Sequence, residues 1–279
     1  MNDIHIGETH FGAKIPIREA DDLEPYPARC LRAALREAKE WGAQSIVCKG
    51  DLTDAGIEEE FAWFATLIRE DAVDPHMILG NHDIRAQDVD GAAILRARGL
   101  HVATSPEAID FPGLRVVLLP SARGYHGGHW EEHADAAIAL AAEADGPVFV
   151  ATHHYPHRFP IKLKVPSGVA LSEAKPFLDE LHRVAPGSLI ACGHTHRHHR
   201  RHYKSLLITE IGSPKDYPGV WAGYVVYEGG IRQVVHKIHE PSARAWLDRS
   251  GRTLFGAWRY WSPGIPTHRN WTWSWPTPR

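Results

Sequence analysis

His76-Met77-Ile78-Leu79-Gly80-Asn81-His82-Asp83 joins a short apolar run to a glycine and three polar residues. An apolar run of this length, bounded by a turn signal, is the pattern of a buried strand. Gly-Asn suits a tight turn, so the polar side chains are delivered where the strand stops. Three other stretches repeat the arrangement. Ser45-Ile46-Val47-Cys48 precedes Gly50-Asp51, Val148-Phe149-Val150-Ala151 precedes His153-His154, and Leu189-Ile190-Ala191-Cys192 precedes Gly193-His194-Thr195-His196. In an open α/β sheet, the loops beyond the strand carboxyl ends gather on one edge, where ligands bind. Four separate parts of the chain are therefore aimed at one place, and Asp3-Ile4-His5 adds a fifth motif ahead of them.

Helical patterns alternate with these runs, which predicts an α/β fold. One helix is expected over 29–41, with Leu31, Ala34, Leu35 and Ala38 on a stripe and Gly42 as its stop. Another is expected over 58–68, with Phe61, Phe64, Ala65 and Ile68 at helical spacing, and more over 92–98, 134–144 and 173–184. Residues 114–119 read as a strand before the Pro120-Ser121 turn. Beyond 205, the stretches 206–209, 223–227 and 231–238 look like consecutive strands joined by short Gly turns, an antiparallel finish.

Two segments are expected: a catalytic domain over 1–240 and an extension over 241–279. The extension is irregular and holds six of the ten Trp residues. Trp271, Trp273 and Trp275 alternate with polar residues, which puts three indoles on one face of an extended segment. Such a face covers a hydrophobic groove or a partner subunit, as in a homodimer, or stacks on substrate.

The composition is that of an ordinary globular protein, 43% apolar and 23% charged. A net charge of −3 supplies no global field for nucleic acid or anionic membranes. The three cysteines are widely spaced and form no C-x-x-C pair, so neither a disulfide framework nor a thiolate zinc site is indicated. Asp3, His5, Glu8 and His10 interrupt any signal-peptide core, and no apolar stretch reaches membrane-spanning length. A reducing cytoplasm is the expected location. The twenty histidines exceed what metal ligation alone would use.

Singly the motifs are weak, and each has a bland alternative: a surface His pair, a tight turn, a solvated basic loop. Their order and context are informative. Together they offer seven O and N ligands, enough to hold two divalent metals side by side with one carboxylate shared. Imidazole, carboxylate and carboxamide ligands without thiolate suit Mn, Fe, Zn, Co or Ni.

The set resembles the calcineurin-like metallophosphoesterase superfamily, whose pattern is D-x-H, GD, GNH[D/E], H and GHxH, over roughly residues 3 to 240. The resemblance implies a four-layered α/β/β/α sandwich with mixed β-sheets and a binuclear metal centre between two sheets. It assigns Asp3, His5, Asp51 and His196 to one metal, and Asp51, Asn81, His153 and His194 to the other, with Asp51 bridging. Two metals roughly 3.5–4 Å apart neutralise an anionic phosphoester and generate hydroxide as the nucleophile near neutral pH. His82 is then expected to act as general acid or transition-state hydrogen-bond donor, oriented by Asp83, for which a place at a helix N-terminus is an equal and compatible alternative. Arg85 and His154 are candidate substrate contacts, each set against a structural role. The His198-to-His202 run with Arg200 and Arg201 reads as a solvated face close to the ligands.

Gly80-Asn81-His82-Asp83 with Arg85 resembles the G-N-H-D-x-R form of the class III cyclic-nucleotide phosphodiesterase branch, and His153 to Pro156 resembles its H-H-P-P segment. The implied substrate is a small diester such as a cyclic nucleotide or a glycerophosphodiester. Phosphomonoesterase and nucleotide pyrophosphatase activities are the alternatives within the family. A DNA exonuclease ranks lower, because no added DNA-binding segment is visible. A non-catalytic scaffold on the same fold is the reading from another class, and a full ligand set counts against it. One departure stands out: only Met1 and Asn2 precede Asp3. Either the start is trimmed, or the first strand is nearly absent and leaves Asp3 and His5 on a frayed terminus.

Overall fold

The computed structural model describes residues 1–11, 15–19, 23–124, 127–158 and 166–275. The first half runs β1 (His10–Phe11), β2 (Ile15–Pro16), α1 (Tyr26–Glu40), β3 (Ile46–Lys49), α2 (Glu58–Asp71), β4 (Pro75–Ile78), α3 (Gly91–Ala97), β5 (Val102–Ala103), β6 (Glu107–Phe111) and β7 (Leu114–Leu119). The second half runs α4 (Ala134–Ala142), β8 (Val148–Thr152), α5 (Leu171–Val184), β9 (Leu189–Cys192), β10 (His199–Tyr203), β11 (Leu206–Glu210), β12 (Val220–Tyr227), β13 (Gly230–Lys237), α6 (Pro241–Ser250), α7 (Trp258–Trp261), α8 (Pro266–Arg269) and β14 (Trp271–Ser274).

The apolar runs are buried on both faces, and their period-2 alternation sorts side chains into separate cores. In β7, Val117 and Leu119 face α4 and α5, while Val116 and Leu118 face the opposite sheet layer. In β8 and β9 the same split sends Val148, Val150, Ile190 and Cys192 one way, and Phe149, Ala151, Leu189 and Ala191 the other. A third core joins Ile46, Cys48, Met77 and Val102 to the apolar stripes of α1 and α2. The layers are therefore helix, sheet, sheet, helix, the four-layered α/β/β/α sandwich expected from the resemblance.

One sheet layer is six-stranded, in the order β10-β11-β9-β8-β7-β6. The other is made of two three-stranded sheets, β3-β4-β5 and β12-β13-β14. β3, β4 and β5 are parallel, as are β7, β8, β9 and β11, whereas β6 and β10 pair antiparallel at the edges of the large sheet. Helical crossovers between parallel strands bring the ends of β3, β4, β8 and β9 to one rim.

Three expectations are corrected. Residues 206–209 do not start an antiparallel finish with 223–227: β11 lies parallel to β9 in the other sheet, and of the three stretches only β12 and β13 pair antiparallel with each other. The His198-to-His202 run, expected as a solvated face, is one only in part: residues 199–202 lie in β10 at a sheet edge, half-buried or exposed, whereas His198 is buried. The amino terminus is not frayed either. The Met1 amino group donates to the Val47 carbonyl at 2.7 Å, Lys49 N donates to Met1 O at 2.8 Å, and Asp3 N donates to Gly50 O at 3.1 Å. Asn2, Asp3 and Ile4 are fully buried. These residues lie in line beside β3, which holds them through backbone hydrogen bonds.

The extension packs on the same body. Leu247 of α6 is buried in the first core, and β14 pairs with β13. Trp271, Trp273 and Trp275 pack on the core between the sheets, and Trp273 Nε1 donates to Gly187 O at 2.7 Å. The indole face expected from the alternation thus covers the protein's own sheet. Residues 276–279 lie outside the described residues.

Candidate metal centre

Each functional side chain follows the end of a strand or lies on the terminal stretch beside β3. Five of them, Asp3, His5, Asp51, His194 and His196, sit at positive φ between 49° and 68°. Non-glycine residues visit that region at a cost on the order of 1–3 kcal/mol and cluster at functional sites, where the surroundings over-determine them. Gly80 has a different reason to be glycine: a Cβ there would stand 2.2 Å from Asp51 Oδ1. The two loops touch at that point, and only a missing side chain permits it.

The side chains meet as two donor sets. Asp3, His5, Asp51 and His196 converge in one. His5 Nε2 faces His196 Nε2 at 3.3 Å and Asp51 Oδ2 at 3.6 Å, and His196 Nε2 faces Asp3 Oδ1 at 3.7 Å. In the other set, His153 Nε2 lies 3.3 Å from Asp51 Oδ2 and 3.2 Å from Asn81 Oδ1. The His153 and His194 rings are 5.1 Å apart. Asp51 Oδ2 is common to both sets, while Asp51 Oδ1 accepts from His82 N at 2.8 Å.

The outer nitrogens carry the second signal. His5 Nδ1 lies 3.1 Å from Asp54 Oδ1, His153 Nδ1 2.8 Å from Lys49 O, and His194 Nε2 3.1 Å from Ser167 O. His196 Nδ1 is bonded to Asp216 Oδ2. Each imidazole can therefore donate its outer N–H to an oxygen and turn its other nitrogen inward. Metal-ligating histidines show this arrangement, because it fixes the tautomer and raises ligand basicity. A buried group of mutually facing acceptors is costly unless a cation or protons occupy its centre. The residues fit two divalent ions.

Electrostatics agree. Burial alone would pull the His153 imidazole down, but the Asp51 carboxylate beside it, with Asp3, holds it raised to about 9. Without a metal, a proton on His153 takes the place of a cation. Burial likewise opposes the Asp51 charge, yet His153, His82 and His5 hold its carboxyl well below the usual range. Burial, then the charge of His153, drives His194 down to about 3. Burial, then His82 and Lys215, keeps His5 well below the usual imidazole range.

His82 takes its orientation from a residue that no sequence motif singles out. His82 Nδ1 lies 3.1 Å from Asp54 Oδ1, and the same oxygen faces His5 Nδ1. The His5 and His82 rings meet edge to face at 4.2 Å. Asp54 follows Asp51 by three positions, so the Gly50-Asp51 loop carries both the carboxylate common to the two donor sets and the one facing His82. The expected role of Asp83 in orienting His82 is corrected. Its carboxylate accepts from Gly80 N at 2.8 Å, Thr53 N at 2.8 Å, Thr53 Oγ1 at 2.7 Å and Leu52 N at 3.1 Å. Buried beneath the two loops, it locks them together, and burial together with Asp51 raises its pKa to about 6.

Arg85 reaches the site. Its Nη1 donates to Asp54 O at 2.9 Å and its Nη2 to His82 Nε2 at 2.6 Å. His154 is fully buried beside His194, with ring centroids 4.4 Å apart. Behind His196, Asp216 also contacts Lys215 Nζ at 3.1 Å, and Lys215 bonds Glu8 Oε2 at 2.6 Å. No local signal marks Asp216 or Glu8 as partners of a ligand. On the far side of the loop, Thr195 Oγ1 donates to Glu210 Oε2 at 2.8 Å, and Ser262 Oγ donates to His196 O at 2.7 Å. The extension thus braces the loop that carries His194 and His196.

Residues 1–198 match the calcineurin-like phosphoesterase family, and the chain belongs to it. No curated protein matches the sequence. Among solved structures, the anchor in the inner membrane complex of Plasmodium is similar with a TM-score of 0.50 at 11% identity, covering 76% of this chain and 81% of the other. The phosphopantetheinyl hydrolase of Mycobacterium tuberculosis aligns at 13% identity and a TM-score of 0.46, over 77% of this chain and 89% of that one. A hypothetical protein from Thermus thermophilus aligns at 15% identity and 0.44, over 90% and 95%. Members of the family typically bind two metal ions, and the donor sets here are compatible with that number. Among the described residues, no helix is long and apolar enough to cross a membrane.

Proposed function

We propose that this phosphoesterase is a two-metal phosphodiesterase acting on small diesters such as cyclic nucleotides or glycerophosphodiesters. The observation that carries the reading is Asp51 Oδ2, which stands 3.6 Å from His5 Nε2 and 3.3 Å from His153 Nε2. A carboxylate oxygen shared by two buried donor sets is what two adjacent ions require. The first ion would be held by Asp3, His5, Asp51 and His196, and the second by Asp51, Asn81, His153 and His194. When bound, such ions supply Lewis acidity and a water of lowered pKa. Mn, Fe, Zn, Co and Ni all suit these donors.

The chain's own residues supply the rest. Asp54 holds the His82 ring through Nδ1, leaving Nε2 to carry a proton toward the leaving oxygen. Positioned proton donors contribute about 10²–10⁴-fold in rate. Arg85 now occupies His82 Nε2, and an anionic substrate would draw the guanidinium onto a phosphoryl oxygen and free that nitrogen. One guanidinium beside the proton donor suits the single charge of a diester, which supports a diester over a monoester. The anchor relative shares the fold, so the fold alone does not decide between enzyme and scaffold; the filled donor sets support the enzyme. The three cysteines are free and buried, which fits a reducing cytoplasm.

The test is turnover of bis-nitrophenyl phosphate beside mono-nitrophenyl phosphate, before and after chelation. The reading expects faster diester cleavage, lost on chelation and restored by Mn²⁺. Faster monoester cleavage would favour a phosphomonoesterase, and undiminished turnover in stripped protein would refute metal dependence.

A further inference from the structure

We propose that His154 is a protein ligand of the second ion, so that this ion is held by three imidazoles rather than two. The inference rests on the two-metal reading but goes beyond the ligand set that the motifs supply. His153, His154 and His194 each offer a nitrogen within 4.8 Å of the others, and all three residues are buried. An ion coordinated by three imidazoles at about 2.0–2.1 Å holds their nitrogens at most about 3.6 Å apart when they are evenly spread. From spacings of up to 4.8 Å, closing the set takes an inward movement of up to about 0.7 Å per ring.

The tautomer of His154 argues the same way. Ser121 Oγ accepts from the His154 backbone N–H at 3.1 Å and lies 2.9 Å from His154 Nδ1. A serine oxygen has two lone pairs. The serine oxygen can accept from both groups, and in that arrangement the ring proton sits on Nδ1 and a lone pair is left on Nε2, the tautomer a metal ligand needs. That nitrogen is buried and has no hydrogen-bond partner. An orphaned polar atom of this kind calls for an explanation. His153 and His194 have their outer nitrogens engaged by Lys49 O and Ser167 O in the same manner. With the outer positions donating, His154 Nε2 and His194 Nδ1 carry lone pairs, and His153 Nε2 offers a third once a cation replaces the proton it holds against Asp51.

The backbone makes room for this ring. A Cβ at Gly128 would stand 2.3 Å from His154 Cβ, so a side chain at Gly128 would displace His154. A surface histidine would need neither the serine anchor nor a buried nitrogen without a partner.

The test uses the full chain, stripped of metal and titrated with Co²⁺ or Mn²⁺, with bound ions counted by elemental analysis and visible Co²⁺ absorption recorded. His154→Ala and His154→Gln should retain the first ion and bind the second at least tenfold more weakly, with altered absorption bands for the second equivalent. Ser121→Ala keeps the imidazole but loses its anchor. It should weaken the second ion as outer partners of ligands do, about 10–100-fold. Should the His154 variants fail to fold, Ser121→Ala decides alone: unchanged second-ion affinity overturns the proposal. So do folded His154 variants that bind both ions as the wild type does. A raised KM with unchanged metal affinity also overturns it, and makes His154 a substrate contact. Wild-type protein that binds no second ion would instead refute the two-metal reading itself.

Discussion

Asp54→Asn removes one charge and almost no volume, so it isolates what that charge does. One oxygen, Asp54 Oδ1, faces His5 Nδ1 and His82 Nδ1, each at 3.1 Å. Burial opposes its ionisation, but the bonds to His5 and His82 hold its carboxyl well below the usual carboxylate range, so it is charged at neutral pH. Hydrogen bonds to a charged group contribute about 1.5–3 kcal/mol and neutral ones about 0.5–1.5. The carboxamide therefore forfeits about 1 kcal/mol at each imidazole, taking the low end because the Asp54 side chain is 27% exposed. That converts to roughly fivefold for each process. The first ion, held through His5, should bind about fivefold more weakly as His5 loses basicity. At saturating metal, turnover should fall about fivefold for esters whose leaving group needs a proton. For nitrophenolate, which leaves without one, the loss should shrink. The assay is metal titration of the variant followed by rates across a leaving-group series. Wild-type metal affinity together with a wild-type leaving-group dependence would refute the reasoning, because the carboxylate would then be doing nothing for either ring.

Other perturbations test other links. Gly80→Ala would push a methyl to within 2.2 Å of Asp51 Oδ1. It should abolish binding of at least one ion with little change in far-ultraviolet dichroism, and an intact site would show that the loops can part. His153 in the metal-free protein is raised to about 9 from the usual 6.5. A raised folded pKa contributes stability that is fully present below the unfolded value and is lost as pH rises through the folded one. Metal displaces that proton, so apparent affinity should climb about tenfold per pH unit per proton released up to pH 9. Calorimetric titration in buffers of different ionisation enthalpy reads the release, and none near neutral pH would contradict the His153–Asp51 pairing. Trp273→Ala loses the bond to Gly187 and part of an indole's burial, about 2 kcal/mol in all. Thermal unfolding should shift down by roughly 4–8 °C, with KM unchanged across nucleotide and nitrophenyl diesters. A KM rise confined to nucleotides would instead make the tail a stacking surface.

The parts of the site that are legible in the sequence are those where chemistry and strand punctuation coincide. Gly80-Asn81-His82-Asp83 follows β4 and Gly193-His194-Thr195-His196 follows β9, so an apolar run followed by ligands reads directly. Asp54 escapes such a reading because an Asp in a loop has no period and no fixed offset that marks it as an orienter. Asp83 misleads for the complementary reason: it is adjacent to His82 in sequence but not in space, because the turn sends its carboxylate down to Gly80 and Thr53. Asp216 and Glu8 are distant in sequence from His196 and become its support only through tertiary packing. The His198-to-His202 run illustrates the limit of charge patterning. A strand at a sheet edge tolerates a polar sequence once Glu210 is there to receive His199 Nδ1 at 3.1 Å. Sheet membership after residue 205 is unreadable because β11 and β12 have similar apolar patterns, and only pairing partners distinguish them.

The most direct test of the shared carboxylate is electron paramagnetic resonance of metal-free protein titrated with Mn²⁺. Two ions bound side by side through Asp51 predict binding of two equivalents and an exchange-coupled spectrum, lost in Asp51→Ala. A spectrum of isolated Mn²⁺ at every loading, or a single equivalent bound, would contradict a two-ion centre built on Asp51.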